Sequence, residues 1–420
     1  MKKINKVAIF HCGFIYSGGG ERIVLEEAKG LRKRGFDVEV FAPCLDGSLC
    51  FPKDLKELKV KTFLPQLPSF VPGRHAMWMV LSSLLAPFLA IRFRDVDVFI
   101  GANQPGAWIA FCVSKVLGKP YFTYINQPNR LLYHRKIDEE TNWQNLNEYY
   151  FIDNLIKRLR KFVAWADKIS FTSGTAMLAD GDYIGKVIEK VYGHPVKMCP
   201  AGAVPQELAK LRINPHTAYT GSIKIKNLKG KVFEIRRPFI FLTNRHVPQK
   251  KFEYAIEALK IVVKKYPDIQ LVIPSSFTPY TKKLQTLVKK LGLVKNVLFL
   301  GQISESTLQN LYRNSALYVY TSPEEDFGMG VIEAMGWGVP VVAWDYAGPT
   351  VTVVNKKTGF LAKPYDVNDF ADKMLEALKD PKFRAKLGKQ GWERVREKFS
   401  WERHNQTLTE EITAAVNMLH

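Results

Sequence analysis

Short, continuous apolar runs alternate along the chain with longer stretches in which apolar residues recur at helical spacing. Residues 7–11 form the first run, and residues 21–33 then place Ile23, Val24, Ala28 and Leu31 three or four positions apart. Further runs follow at 38–42, 96–101, 121–125 and 168–172. Fully apolar strands alternating with helices predict a parallel sheet covered on both faces. The rhythm breaks after Cys199-Pro200-Ala201-Gly202, and residues 222–237 alternate polar and apolar side chains around Lys229-Gly230, the pattern of a solvated β-hairpin. A second series then begins, with strands expected at 239–243, 270–274, 297–300, 317–320 and 340–343 and helices at 253–265, 279–291 and 305–313. Amphipathic helices near 381–398 and 401–419 close the chain. The expected fold class is α/β: two doubly wound, Rossmann-like domains with a cleft between them.

A length of 420 residues suits two such domains. A hydrophobic fraction of 46% and a charged fraction of 24% exclude wholesale disorder. The five cysteines (Cys12, Cys44, Cys50, Cys112 and Cys199) are odd in number and lack any C-x-x-C spacing, which argues against a disulfide framework or a zinc site. They fit a reducing, cytoplasmic setting. The net charge of +21 divides almost evenly between the two halves of the chain. Such a diffuse field suits nucleotide diphosphates, anionic lipid surfaces or nucleic acid, and equally plain solubility.

Three clusters bear chemistry. The first turn, His11 to Glu21, contains Gly18, Gly19 and Gly20 directly before a helix, so backbone N–H groups can approach a phosphate or sugar. It is not the dinucleotide fingerprint, because Ile23 stands where a third glycine belongs and the second strand ends Phe41-Ala42-Pro43 without an acid. The second cluster, Leu242 to Lys251, puts cations after the first strand of the second series, where a diphosphate could be held. The third runs from Ser322 to Ala343. In it Gly328 opens a helix with free N–H groups, Glu325 precedes that helix, Glu333 lies inside it, and Gly336 and Gly338 end it. Two D-x-D strings, Asp95-Val96-Asp97 and Asp180-Gly181-Asp182, are expected to be structural.

The string E-x-F-G-x(4)-E-A-M-x-x-G-x-P-V-V-A, from Glu325 to Ala343, resembles the signature of family 4 glycosyltransferases of the GT-B fold. Arg245 and Lys250 match that family's R-x(4)-K, the glycine turn its G-G-G/A-E-R, and Phe399-Ser400-Trp401 its F-S-W. The N-terminal part looks most like dolichol-pathway and lipopolysaccharide-core mannosyltransferases. The resemblance implies an acceptor-binding domain over 1–204, a nucleotide-sugar-binding domain over 205–400, a hinge within 205–237, and a last helix, 401–420, crossing back to the first domain. It implies that Glu325 accepts hydrogen bonds from the donor sugar, aided by backbone N–H groups at Phe327, Gly328 and Met329. Glu333 would hold the ribose, while Arg245 and Lys250 neutralise the leaving diphosphate. Gly18, Gly19 and Gly20 would approach the donor diphosphate and the acceptor. The family retains anomeric configuration, needs no metal and has no cofactor beyond its sugar-nucleotide substrate; GDP-mannose is the expected donor and a polyprenol-linked glycan or glycolipid the expected acceptor. The sequence departs from the family at Asn126, which stands where a histidine is frequent and cannot take a proton at neutral pH. Arg130 and Tyr133 are the other expected acceptor contacts.

Alternative readings are a UDP-sugar donor, a catalytically silent GT-B protein that binds a partner, and a nucleic-acid-binding protein. Even charge and the lack of a nucleic-acid module argue against the last. A membrane-spanning helix is not expected. The nearest stretch, 76–91, is uncharged but contains Pro87 and is flanked by Arg74 and Arg92. Met77, Trp78, Leu81, Leu84, Leu85, Phe88 and Ile91 form a broad stripe opposite Ser82 and Ser83. The stripe fits a buried helix, or else peripheral docking on an anionic membrane surface, at the inner face of the membrane.

Overall fold

A computed structural model describes residues 5–47, 50–68, 71, 73–141, 154, 157–203 and 221–418. It divides into two compact units, Met1–Gly202 with Trp401–His420, and Ala203–Ser400. The expected boundary at 204/205 and the start of the expected hinge fall in 204–220, outside the described residues.

The first unit is built on a parallel sheet of seven strands: β1 (Lys6–His11), β2 (Asp37–Ala42), β3 (Lys61–Thr62), β4 (Val98–Ala102), β5 (Tyr121–Ile125), β6 (Met177–Ala179) and β7 (Lys197–Met198). Their spatial order is β3-β2-β1-β4-β5-β6-β7, so the direction of winding reverses between β1 and β4. Helices α1 (Gly19–Lys33), α2 (Pro52–Leu58), α3 (Arg74–Leu89), α4 (Gly106–Leu117), α5 (Lys136–Glu140), α6 (Arg160–Thr172) and α7 (Asp182–Tyr192) connect the strands. One face of the sheet is closed by stacked rings: Phe10 meets Phe93 edge-on at 5.1 Å and Phe99 face-on at 5.7 Å, and Phe41 meets Phe93 at 5.0 Å. The D-x-D at 95–97 ties down the chain start, with Asp97 accepting from the Asn5 and Lys6 amides at 3.0 Å and Asp95 accepting from the Lys6 ammonium at 2.6 Å.

Two expectations change. Residues 168–172 are the last turn of α6 rather than a strand, and the sixth strand is Met177–Ala179. The buried positions Asp167, Ser170 and Phe171 follow a helical spacing that a five-residue window cannot separate from a strand. The second change is in α3, which packs inside out. Its small residues Ala76, Ser82 and Ala86 face the core, while Leu84, Phe88 and, just beyond it, Ile91 are 64%, 78% and 64% exposed. Periodicity located the stripe but not the face that is covered. The 74–93 helical stretch is also the one span among the described residues long and apolar enough to cross a membrane by length and composition, with a mean hydropathy of 1.7 and only 28% of it buried.

The second unit opens with the expected hairpin, β8 (Ser222–Lys226) antiparallel to β9 (Val232–Arg236). A six-stranded parallel sheet follows: β10 (Phe239–Phe241), β11 (Gln270–Pro274), β12 (Val297–Gly301), β13 (Leu317–Tyr320), β14 (Val341–Trp344) and β15 (Gly359–Ala362), ordered β12-β11-β10-β13-β14-β15. Here the winding reverses between β10 and β13. Helices α8 (Phe252–Val262), α9 (Pro279–Lys290), α10 (Glu305–Asn314), α11 (Met329–Gly336), α12 (Pro349–Thr352), α13 (Val367–Leu378) and α14 (Pro381–Lys398) cover the sheet.

The final helix, α15 (Trp401–Asn417), returns to the first unit and packs on α1. Its anchor is His404, fully buried with Glu27 of α1. The His404 Nε2 lies 3.2 Å from Glu27 Oε1, and its Nδ1 lies 3.1 Å from the Pro200 carbonyl oxygen. The Cys199 sulfur lies 3.4 Å from the same Nδ1, so Nε2 faces a carboxylate while Nδ1 faces a carbonyl and a thiol. Burial alone would lower its pKa, but the Cys199 sulfur and the Glu27 carboxylate outweigh burial and hold it well above the usual histidine range. Glu27→Gln should cost about 3–5 kcal/mol of unfolding free energy in urea titration at neutral pH, as expected for breaking a buried pair. A raised folded pKa contributes in full below the unfolded value and is lost as pH climbs through the folded one. The difference between wild type and variant should therefore shrink from neutral to alkaline pH. A difference that stays constant would exclude the imidazolium.

Candidate active site

In open α/β sheets, ligands sit beyond the carboxyl ends of the strands, where the winding reverses. In the second unit that point lies between β10 and β13, which pair in parallel through Ile240↔Leu317 and Phe241↔Tyr318. The loop after β10 carries Arg245, exposed, and Lys250, at the end of the 3-10 turn Pro248–Lys250. The loop after β13 carries Glu325 and ends at Gly328, whose φ of +86° is the left-handed region that favours glycine. Lys250 Nζ donates to Glu325 Oε2 at 2.7 Å, with the two side chains only 19% and 17% exposed. Burial would raise the Glu325 pKa, but the Lys250 charge and hydrogen bond, with the Tyr320 and Ser322 hydroxyls, hold it down at about 2. The carboxylate is thus ionised throughout the physiological range and aimed by several donors.

Glu333 lies on α11, 7% exposed, and accepts from the Tyr312 hydroxyl at 2.8 Å. Tyr312 meets Phe241 edge-on (4.9 Å) and Tyr318 at a tilt (5.6 Å), and the Tyr318 hydroxyl donates to the Thr243 carbonyl at 3.1 Å. Asn244, from the second sequence cluster, donates through Nδ2 to the Tyr320 hydroxyl at 3.2 Å. Tyr312, Tyr318 and Tyr320 surround the two glutamates, and motif reading passed them over; Tyr318 and Tyr320 were signalled only by the alternating Leu-Tyr-Val-Tyr of β13, and Tyr312 sits on α10. Gly348 is another. Its N–H donates to the Glu325 carbonyl at 2.7 Å, and a Cβ there would fall 2.6 Å from Phe327 Cα. The signal for it was a Gly-Pro directly after the loop that follows a buried strand. Phe327 is 2% exposed and meets Phe399 edge-on at 5.7 Å, so the F-S-W phenylalanine braces the Glu325 loop. Gly328 caps α11 and Met329 begins it, which places their N–H groups at the helix start.

In the first unit the reversal point lies between β1 and β4. Gly18 is the N-cap of α1, and Gly19 and Gly20 begin the helix. A Cβ on Gly20 would lie 3.5 Å from Asn126 Oδ1, 3.7 Å from Asn103 Nδ2 and 4.0 Å from His11 Cε1, so the glycine turn and Asn126 are neighbours. Asn126 is fixed in orientation. Its N–H donates to Asn103 Oδ1 (3.0 Å), its Oδ1 accepts from Asn103 Nδ2 (2.7 Å), and its Nδ2 donates to Asp180 Oδ2 (3.3 Å). The expected acceptor residues Arg130 and Tyr133 have partners within the same unit. Arg130 Nε donates to the buried Asp138 at 3.0 Å and its fork also engages the second oxygen, while the Tyr133 ring packs on Tyr192 at 5.8 Å.

Comparison with known proteins gives the family. The model of glycosyl transferases group 1 fits residues 224–394, and that of Glycosyltransferase Family 4 fits residues 17–204. An alpha-1,3/1,6-mannosyltransferase alg-2 of Neurospora crassa is 36% identical over 95% of this chain and 88% of its own length. The chain belongs to glycosyltransferase family 4. It is therefore a hexosyltransferase by family, and its full length is also similar to the alpha-1,3/1,6-mannosyltransferase ALG2 of Dictyostelium discoideum (28% identical, 97% of each chain) and of Homo sapiens (25%, 94% and 93%). Among solved structures, Anabaena Alr3699/HepE in complex with UDP and glucose aligns with a TM-score of 0.67 at 18% identity, covering 98% of this chain and all of that one. The lipopolysaccharide glycosyltransferase WaaG aligns at 0.66 and 17%, covering 97% and 99%. Both share the GT-B fold.

Lys250→Ala and Glu325→Gln are each expected to lower turnover on the order of a hundredfold or more. Each also leaves a half-buried charge without its partner, so the melting temperature should fall as well. Turnover is therefore measured well below the melt; normal turnover in either variant would remove the pair from the reaction.

Proposed function

We propose that this family 4 enzyme is a retaining mannosyltransferase that moves mannose from GDP-mannose to a lipid-linked glycan without a metal at the diphosphate. The observation that carries the reading is the end-to-end similarity to alpha-1,3/1,6-mannosyltransferases, with Glu325, Glu333, Arg245 and Lys250 all present. In this reading Lys250 and Arg245 take up the charge that grows on the diphosphate as the bond from the sugar C1 to its oxygen breaks. Glu325 and the N–H groups at 327–329 hold the sugar hydroxyls, and Glu333 holds the ribose. Gly18, Gly19 and Gly20 come close to the diphosphate and the acceptor. Asn126, clamped by Asn103 and Asp180, orients the acceptor but takes no proton. The acceptor proton passes instead to the departing phosphate oxygen on the same face of the sugar. The new C1–oxygen bond then forms with configuration retained, and GDP leaves.

A lipid-linked acceptor calls for approach to a membrane, and the outward face of α3 supports peripheral docking there. Beside α3, Trp108 of α4 donates to the Ser83 carbonyl (3.1 Å) and meets Trp165 of α6 edge-on at 6.4 Å. Trp165 and Phe162 are 52% and 58% exposed. Leu84, Phe88, Ile91, Phe162 and Trp165 therefore border one helical layer, with Arg92 and Arg94 exposed at its end. Apolar and aromatic side chains next to cations suit an anionic lipid surface at the cytoplasmic side of a membrane.

The donor is tested by thermal shift against GDP, UDP, ADP and their sugar conjugates, without metal and then with Mg²⁺. Stabilisation selective for GDP and GDP-mannose is expected. Selectivity for UDP would transfer the reading to a UDP-sugar donor, the ligand class seen with the Anabaena neighbour. Docking is tested by co-sedimentation with anionic vesicles. Phe88→Asp combined with Ile91→Asp should cut bound protein about tenfold, and unchanged binding would end the membrane reading.

A further inference from the structure

The end of β1 and the first turn of α1 bring together three side chains of three ligand types: His11, Cys12 and Glu21. Their ligating atoms all lie within 4.8 Å of one another. Cys12 Sγ is 3.5 Å from His11 Nε2, and Glu21 Oε1 is 4.0 Å from that same nitrogen. His11 is 1% exposed and Glu21 4% exposed. The buried His11 ring is therefore aimed at a thiol and a carboxylate together, the donor set of a metal site.

We propose that His11 Nε2, Cys12 Sγ and Glu21 bind one borderline-soft divalent cation of the zinc class, beside the glycine turn and with no part in neutralising the diphosphate. Zinc bonds of 2.0–2.3 Å in a tetrahedron set neighbouring ligand atoms about 3.3–3.8 Å apart, which these groups reach by small side-chain movements. One nitrogen, one thiolate and one carboxylate favour zinc over magnesium or calcium, which prefer all-oxygen shells. Thiolate and carboxylate together balance the charge of the ion. Cys12 is only partly covered, so the ion has a path in and a fourth position for water. The sequence argued against zinc because no C-x-x-C spacing exists; the strand-to-helix turn assembles the donors from residues 11, 12 and 21 instead. Bound there, the ion would staple the two ends of the turn that contains Gly18, Gly19 and Gly20.

The test uses the full chain, reduced and stripped with chelator, titrated with Co²⁺ and then Zn²⁺. Saturation at a single equivalent is expected, with a thiolate-to-cobalt charge-transfer band and the intense visible bands of four-coordinate cobalt, both abolished by Zn²⁺. Zn²⁺ should also raise the melting temperature in proportion to its excess over Kd. Cys12→Ser should remove the charge-transfer band, Glu21→Gln should weaken binding about tenfold or more, and Cys112→Ser should change neither. Absence of the band in wild type, or its persistence in Cys12→Ser, overturns the proposal. Should a variant fail to fold, alkylation of Cys12 in the wild-type chain decides. Zn²⁺ must slow its labelling by iodoacetamide about tenfold and chelator must restore it; labelling indifferent to Zn²⁺ means a reactive thiol alone and sinks the site.

Discussion

The Lys250–Glu325 pair depends on β10 and β13 being neighbours. They are far apart in the chain, yet their pairing through Ile240↔Leu317 and Phe241↔Tyr318 sets two loops side by side at one edge of the sheet. Lys250 and Glu325, separated by 75 residues, can meet only there. The same aromatic rings serve the packing and the polar site. Phe241, Tyr312 and Tyr318 pack edge-on or tilted against one another, while the hydroxyls of Tyr312 and Tyr318 reach Glu333 and the Thr243 carbonyl. Truncating the Tyr312 ring would lose packing and release the Glu333 carboxylate together, because a buried tyrosine is hydrophobic bulk with a polar tip.

Much of this was legible in the chain. Continuous apolar runs between amphipathic stretches announce parallel sheets, because only strands covered on both faces carry such runs. The ordered motifs place Arg245, Lys250, Glu325 and Glu333 on the correct loops and helix. Other features depend on contacts that no local pattern encodes. The Asn103–Asn126–Asp180 chain joins the ends of three adjacent strands across separations of 23 and 54 residues. Gly348 acts on Glu325 from a different loop. In α3 the stripe was visible, but whether its large or its small residues face inward is decided by the space left over the sheet, and Ala86 and Ala90 fill that space beside Phe93. Residues 168–172 fail for a simpler reason: five residues do not distinguish a period of 2 from one of 3.6.

The F-S-W motif shows how one short string serves both units. Phe399 packs on Phe327 and so braces the loop that presents Glu325. Two residues later Trp401 begins α15 in the first unit, where its ring meets His404 at 5.3 Å. The chain passes between the units twice, at 202/203 and at 400/401, and each crossing is tied on both sides. Gly202 lies against Trp401, and the Ala203 N–H donates to the Phe399 carbonyl at 2.9 Å. Below Trp401 the buried Glu27–His404 pair fixes α15 to α1. A pair so fully buried gives little net stability over an apolar substitute. What it supplies is a unique seat for the helix, because the ring fits only with Nε2 on Glu27 and Nδ1 between Cys199 and Pro200.

The Lys250–Glu325 pair also bears on how such a site could suit a substrate that is both anionic and hydroxylated. Without a partner, an ammonium or a carboxylate at this depth would pay for lost hydration; together they offset it. Under the proposed function, a nucleotide sugar would offer a substitute for each member at once, its diphosphate for Lys250 and its sugar hydroxyls for Glu325. Exchanging one ion pair for another plus neutral hydrogen bonds would keep the charges satisfied at every stage. A diphosphate alone would take Lys250 but leave Glu325 with only Tyr320 and Ser322, so its affinity should suffer relative to the full donor. On that reading the asymmetry would favour the intact sugar nucleotide over the product and help the spent nucleotide to leave.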